Sequence, residues 1–153
     1  MGALAGSLIQ AVALYSKAEA ILIEARERSE RLRRAVDADA AAFNEFWRLR
    51  KAGTAEKEAA LRRAIEVPLA IVDDCLVLAG LGRELYAHGF KNARAESSTA
   101  ALAAMAGAEA ALHTARLNLK AAENAAWFQE IQERVEELGA KVSRLARAYA
   151  FPA

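Results

Sequence analysis

Apolar residues recur along the chain at steps of three, four and seven, the period of an α-helix and not the alternation of a strand. From Ser7 to Ala52 neither glycine nor proline occurs, and Leu4, Leu8, Val12, Tyr15, Leu22, Ala25, Leu32, Val36, Phe43 and Phe46 hold one stripe that Trp47 or Leu49 continues. The pattern predicts one helix over this stretch, some 65–70 Å long at about 1.5 Å per residue. Gly53-Thr54 is the first breaker. Thr54 can cap a second helix, with Glu56 and Glu58 near the positive end of its dipole, running to about Ala87 and ending at His88-Gly89. Pro68 falls inside it, where a missing amide and a crowded preceding turn predict a kink near Ala64 to Pro68. Phe90 to Glu96 reads as a connector, after which Ser97, Ser98 or Thr99 caps a third helix reaching at least Leu138. Gly139 either breaks or weakens that helix, and Val142, Leu145 and Tyr149 stay in phase until just before Pro152.

Composition agrees with an all-α fold: the 153 residues include 8 glycines, 2 prolines and 55% apolar residues. The expected architecture is a long-helix up-and-down bundle with a proline-kinked second helix, forming a single domain over 1–153. Helices of this length carry more apolar stripe than one copy can cover, so a homo-oligomer, a dimer first of all, is expected. With 21 basic and 20 acidic residues giving a net charge of +1, neither nucleic acid nor a membrane surface is an expected partner. Lys17 and Glu19 interrupt the longest apolar run before it reaches the ~18 residues of a membrane span. Ala18-Glu19-Ala20 imitates a signal-peptide cleavage site, yet no basic residue precedes the apolar stretch and the helical pattern continues through it. The single Cys75, with only His88 and His113 beside it in composition, offers no disulfide and no metal spacing, which fits a cytoplasmic location.

Polar residues on apolar stripes are the candidates for chemistry. Asp39 lies three after Val36 and four before Phe43. It is either hydrogen-bonded to a neighbouring helix or a partly desolvated carboxylate suited to general acid or base work. On the third helix Gly107, Ala111, Thr114, Asn118, Ala121 and Ala125 form a ribbon of small residues. This ribbon is either a close helix contact, bridged by Thr114 and Asn118, or a pocket floor flanked by Arg116 and Lys120. Arg26, Arg28, Arg31, Arg33 and Arg34 interleave with Glu24, Glu27 and Glu30 and read as a solvated face. Of Asp73-Asp74, one faces a partner helix.

Five phrases, Ala3-Leu4-Ala5-Gly6, Asp39-Ala40-Ala41-Ala42-Phe43, Glu66-Val67-Pro68-Leu69, Asn92 followed by Ser97, and Arg116-Leu117-Asn118-Leu119, together resemble the cyclodeaminase/cyclohydrolase family of folate enzymes. The resemblance implies a dimerising bundle of long helices and ring-closing or ring-opening chemistry on formimino- or methenyl-tetrahydrofolate. It implies Asp39 as the catalytic residue, with Asn92, Ser98, Thr114, Asn118 and Arg116 as substrate-binding residues. The tetrahydrofolate derivative is the substrate, and no metal or further cofactor is implied. The chain departs from the family pattern where Met1-Gly2 replaces a Pro-Gly-Gly-Gly-Ser stretch, where Tyr15-Ser16-Lys17-Ala18 replaces a Gly-Lys-rich loop, where Ser98 replaces an acid, and where Thr114 replaces an Asn. Glu96 is the nearby acid that could substitute. Two readings follow: a reduced but working enzyme, or a non-catalytic helical oligomer that keeps the scaffold.

Overall fold

A computed structural model describes residues 1–51 and 54–148. Among these the chain forms five α-helices and no strand: α1 (Gly2–Tyr15), α2 (Glu19–Leu49), α3 (Thr54–His88), α4 (Arg94–Leu119) and α5 (Phe128–Ala148). Helices α3 and α4 form the central antiparallel pair, α2 lies along α3, α1 sits in the corner between α2, α3 and α4, and α5 closes the other side against α4 and α3. Among the described residues no helix is long and apolar enough to cross a membrane.

The single helix expected from Ser7 to Ala52 is two. After Tyr15 the chain reverses at Ser16 to Ala18, with the Lys17 amide donating to Leu14 O and the Ala18 amide to Ala13 O. Lys17 takes the left-handed conformation, φ 53°. This is the Schellman ending of a helix, built here on lysine where glycine is usual. Ser16 Oγ also accepts the Phe90 amide at 2.9 Å, tying this reversal to the α3–α4 connection. The result is that α1 folds back on α2: a Cβ on Gly2 would meet Leu32, and one on Gly6 would meet Ser29.

The expected third helix to Leu138 is likewise divided. α4 ends at Leu119, a 3-10 turn follows over Lys120–Ala122, and the Ala125 and Phe128 amides donate to Ala122 O and Ala125 O. α5 then returns along α4, burying Ile131, Val135, Leu138 and Val142, and Gly139 is buried within it without a break. The driving force is α5's stripe, which a straight continuation of α4 would leave in water. Nor do the expected serine caps form: α4 starts at Arg94, and Ser97 Oγ and Ser98 Oγ bond back to Ala93 O and Ala95 O. Pro68 lies inside an unbroken α3. The expected cap side chain of Thr54 and the tail from Tyr149 to Pro152 lie outside the described residues.

The face of α4 turned to α3 is thin, with Ala100, Ala101, Ala104, Ala108 and Ala115 fully buried, which lets the two helix axes approach closely. Asp74 of α3, also buried, accepts hydrogen bonds from Arg28 at 2.7 Å and Arg31 at 3.0 Å. Two arginines of the run expected to be solvated therefore pin α2 to α3, and Asp73 pairs with Arg134 of α5 at 2.8 Å, so both acids of the pair, and not one, face a partner helix.

Candidate active-site cleft

Because α1 is short, it covers α2 only as far as Leu32, and beyond its first turn the corner between α2, α3 and α4 stays open. The cleft left there has a volume of about 290 Å³, walled by Met1–Ala3, by Leu32, Val36 and Asp39 of α2, and by Gly107, Ala111 and Thr114 of α4, with Ile71 and Cys75 at its base. Glycines keep its floor low. A Cβ on Gly107 would come within 3.1 Å of Cys75 Sγ, and one on Gly2 within 2.7 Å. Wedged between them, the Cys75 thiol is pushed up to about 11 by burial and then by the charge of Asp74, so it packs as a neutral group and is no nucleophile.

Asp39 is half-buried at the mouth of this cleft, and burial raises its carboxyl above the ordinary value. A carboxylic acid lifted this way holds its proton closer to neutrality, as a group that both accepts and returns a proton requires. Thr114 is the second expected site residue in the cleft; its Oγ1 donates to Ala110 O at 3.2 Å and keeps lone pairs free for another donor.

The other expected site residues lie elsewhere. Asn92 borders a separate cleft of about 230 Å³ at the opposite end of α1, beside Tyr15, Phe90 and Glu96. The 14 residues of α1, about 20 Å of helix, stand between, so Glu96 does not replace a missing acid beside Asp39. Ser98 and Arg116 are 18 residues, about five turns, apart on α4, and the Arg116 end meets α5. There the Arg116 guanidinium covers Gly139, where a Cβ would collide with it. Asn118 Nδ2 donates to Ala64 O at 2.7 Å, so of the two readings of the ribbon its end is a helix contact, while Gly107, Ala111 and Thr114 floor the cleft. Among the described residues no three His, Cys, Asp or Glu side chains gather as a metal site requires. The sequence pattern assigned neither Cys75 nor the first three residues to a site, and they line one cleft because α1 folds back.

Residues 1–137 match the family model described as formiminotransferase-cyclodeaminase. The chain belongs to the formiminotransferase-cyclodeaminase family. Among solved structures, a formiminotetrahydrofolate cyclodeaminase from Thermotoga maritima superposes with a TM-score of 0.81 at 22% identity, over 97% of this chain and 80% of that one. At that identity the likeness carries the fold. No curated protein sequence matches the chain significantly. In this family member, two of the five phrases border the cleft, through Ala3 and Asp39. Of the others, Arg116 to Leu119 reaches α3 through Asn118, which donates to Ala64 O just before the Glu66 to Leu69 phrase.

Proposed function

We propose that this chain is a folate one-carbon enzyme, a cyclodeaminase or cyclohydrolase, with Asp39 as its general acid and base. The observation that carries the reading is the position of Asp39: a partly desolvated carboxyl with a raised pKa at the mouth of an otherwise mostly apolar cleft. In ring closure, N10 attacks the formimino carbon on N5, Asp39 takes the N10 proton, and the protonated acid returns it to the departing nitrogen, which leaves as ammonia. In the hydrolytic direction the same carboxylate takes a proton from water as it adds to the methenyl carbon. The Thr114 hydroxyl orients the reacting amidine.

A volume of about 290 Å³ sits at the lower edge of the roughly 300–1,000 Å³ that small-molecule sites occupy. It suits the reacting ring system and leaves the rest of the substrate over the adjoining surface. That surface includes Val36, Phe43 and Leu117, which are 65%, 49% and 50% exposed. A second copy covering it would exclude water from the cleft, so a homodimer belongs to this reading.

One observation favours a non-catalytic oligomer that keeps the scaffold: Asn92, Ser98, Arg116 and Asn118 all lie outside the cleft. Following the absorbance of methenyl-tetrahydrofolate separates the two. The enzyme reading expects its formation from the formimino compound or its hydrolysis, with Asp39→Asn slower by about 10²–10⁴. A thermal shift with tetrahydrofolate derivatives but no turnover leaves a folate-binding scaffold, and neither shift nor turnover overturns the enzyme reading and leaves the non-catalytic oligomer.

A further inference from the structure

Pro68 has no amide hydrogen, so the Ala64 carbonyl one turn earlier loses its helical donor. Ala64 is buried, 1% exposed, and a buried carbonyl left unpaired is costly. The amide of Asn118, 54 residues further along the chain, takes the missing place at 2.7 Å. We propose that Asn118 is the register pin of the α3–α4 seam, a positioning residue that replaces the amide Pro68 lacks.

The need for a pin comes from the seam itself. Ala100, Ala104 and Ala108 follow one another at steps of four and are fully buried, with Ala111 and Ala115 repeating the step. A one-turn slide of α4, about 5.4 Å, that brings Ala100 and Ala104 to the places of Ala104 and Ala108 lays alanine on alanine there, whereas the opposite slide is barred because it drives Leu112 into the place of Ala108. The first slide would bring Ala103 to the place of Gly107, where Cys75 Sγ leaves a Cβ only 3.1 Å, and would carry Thr114 out of the cleft. Steric fit at Gly107 favours the native register, and the polar pair makes it unique. Proline frees one carbonyl in the interior of α3, and Asn118 is the α4 side chain opposite it. A single buried polar partner is a recognised way to fix register between otherwise degenerate helices. The pairing holds whatever reaction the cleft performs.

A double-mutant cycle in urea tests it with Asn118→Ala, Pro68→Ala and the double variant. Asn118→Ala alone leaves the Ala64 carbonyl unpaired and is expected to shift the unfolding equilibrium about tenfold or more toward the unfolded chain. In the Pro68→Ala background the new amide at 68 serves that carbonyl, and the same substitution is expected to shift the equilibrium by about twofold at most. An equal loss in both backgrounds is what ordinary packing predicts, and it overturns the proposal. Should Asn118→Ala not fold at all, the proposal requires the double variant to regain its helical circular dichroism; failure of both overturns it as well.

Discussion

Gly6 and Gly80 both sit inside helices, and the same substitution to alanine is expected to act on them with opposite sign. Alanine is favoured over glycine by about 1 kcal/mol in a helix interior. At Gly80 of α3 nothing lies within 4 Å of the added methyl, so the gain is realised, and Tm rises by about 2–4 °C for a chain of this size. At Gly6 of α1 the methyl would overlap Ser29 Oγ and stand 3.1 Å from Ser29 Cβ. Ser29 is fully buried, and its hydroxyl also accepts a bond from Gln10 Nε2 at 3.1 Å, so it has no free direction in which to retreat. Either α1 moves off α2 or the pair is strained. Overpacking of this kind costs up to about 3 kcal/mol, which less the propensity gain leaves a net loss of about 2 kcal/mol and a Tm lower by about 4–8 °C. Calorimetry on both variants gives the comparison, and a Ser29→Ala background should shrink the Gly6→Ala loss because the nearest clashing atom is gone. A Gly6→Ala protein as stable as the parent would refute the close α1–α2 approach on which the cleft wall depends.

Lys17→Gly should stabilise the fold by about 0.5–1 kcal/mol, since a left-handed lysine costs about 1–2 kcal/mol and glycine gives back part of that in chain entropy; a loss in urea unfolding would contradict the Schellman turn. Burial raises the Asp39 pKa above 3.8, so the folded state binds the proton more tightly. The ionised carboxylate therefore costs stability, absent below the unfolded value and complete above the folded one. Asp39→Asn is accordingly expected to raise Tm at neutral pH, with the gain shrinking as the pH falls through about 4, and a gain that grows on acidification would reverse the sign. Cys75, buried and pushed up to about 11, should react with a thiol reagent slowly in the native protein at mildly alkaline pH and quickly in denaturant; fast native labelling would place it on the surface.

The helical class was legible because it follows from periodicity. The stripe of Val36 and Phe43 that pointed to Asp39 is exposed, however, and Asp39 is more covered than either because it borders the cleft. The two chain reversals were not legible. At Lys17 the left-handed residue is not a glycine, and between Lys120 and Trp127 neither glycine nor proline occurs; each reversal is imposed by what the following helix buries. The cleft inherited that blindness. Thr114 could be placed with Gly107 from α4's spacing alone, but its meeting with Asp39 depends on α2 and α4 flanking a short α1. The same short helix set Asn92 and Glu96 at its far end. Pro68 and Asn118 were each visible as anomalies, and their connection is a tertiary fact with no local signature.

The modest hold of α1 on the bundle sets a limit on anything that binds beside it. Besides glycine and alanine, α1 buries only Ile9 and Val12, each contributing about 1.5–3 kcal/mol, whereas α3 is gripped on several sides. Release of α1 is thus a low-energy opening compared with global unfolding, and amide exchange in α1 outpaces that in the middle of α3. A ligand that leans on Met1–Ala3 meets a complete cleft only for the fraction of time α1 is docked, and its apparent affinity falls by that fraction. Conversely, occupancy slows exchange along α1, a reporter of binding located in the scaffold and independent of any turnover.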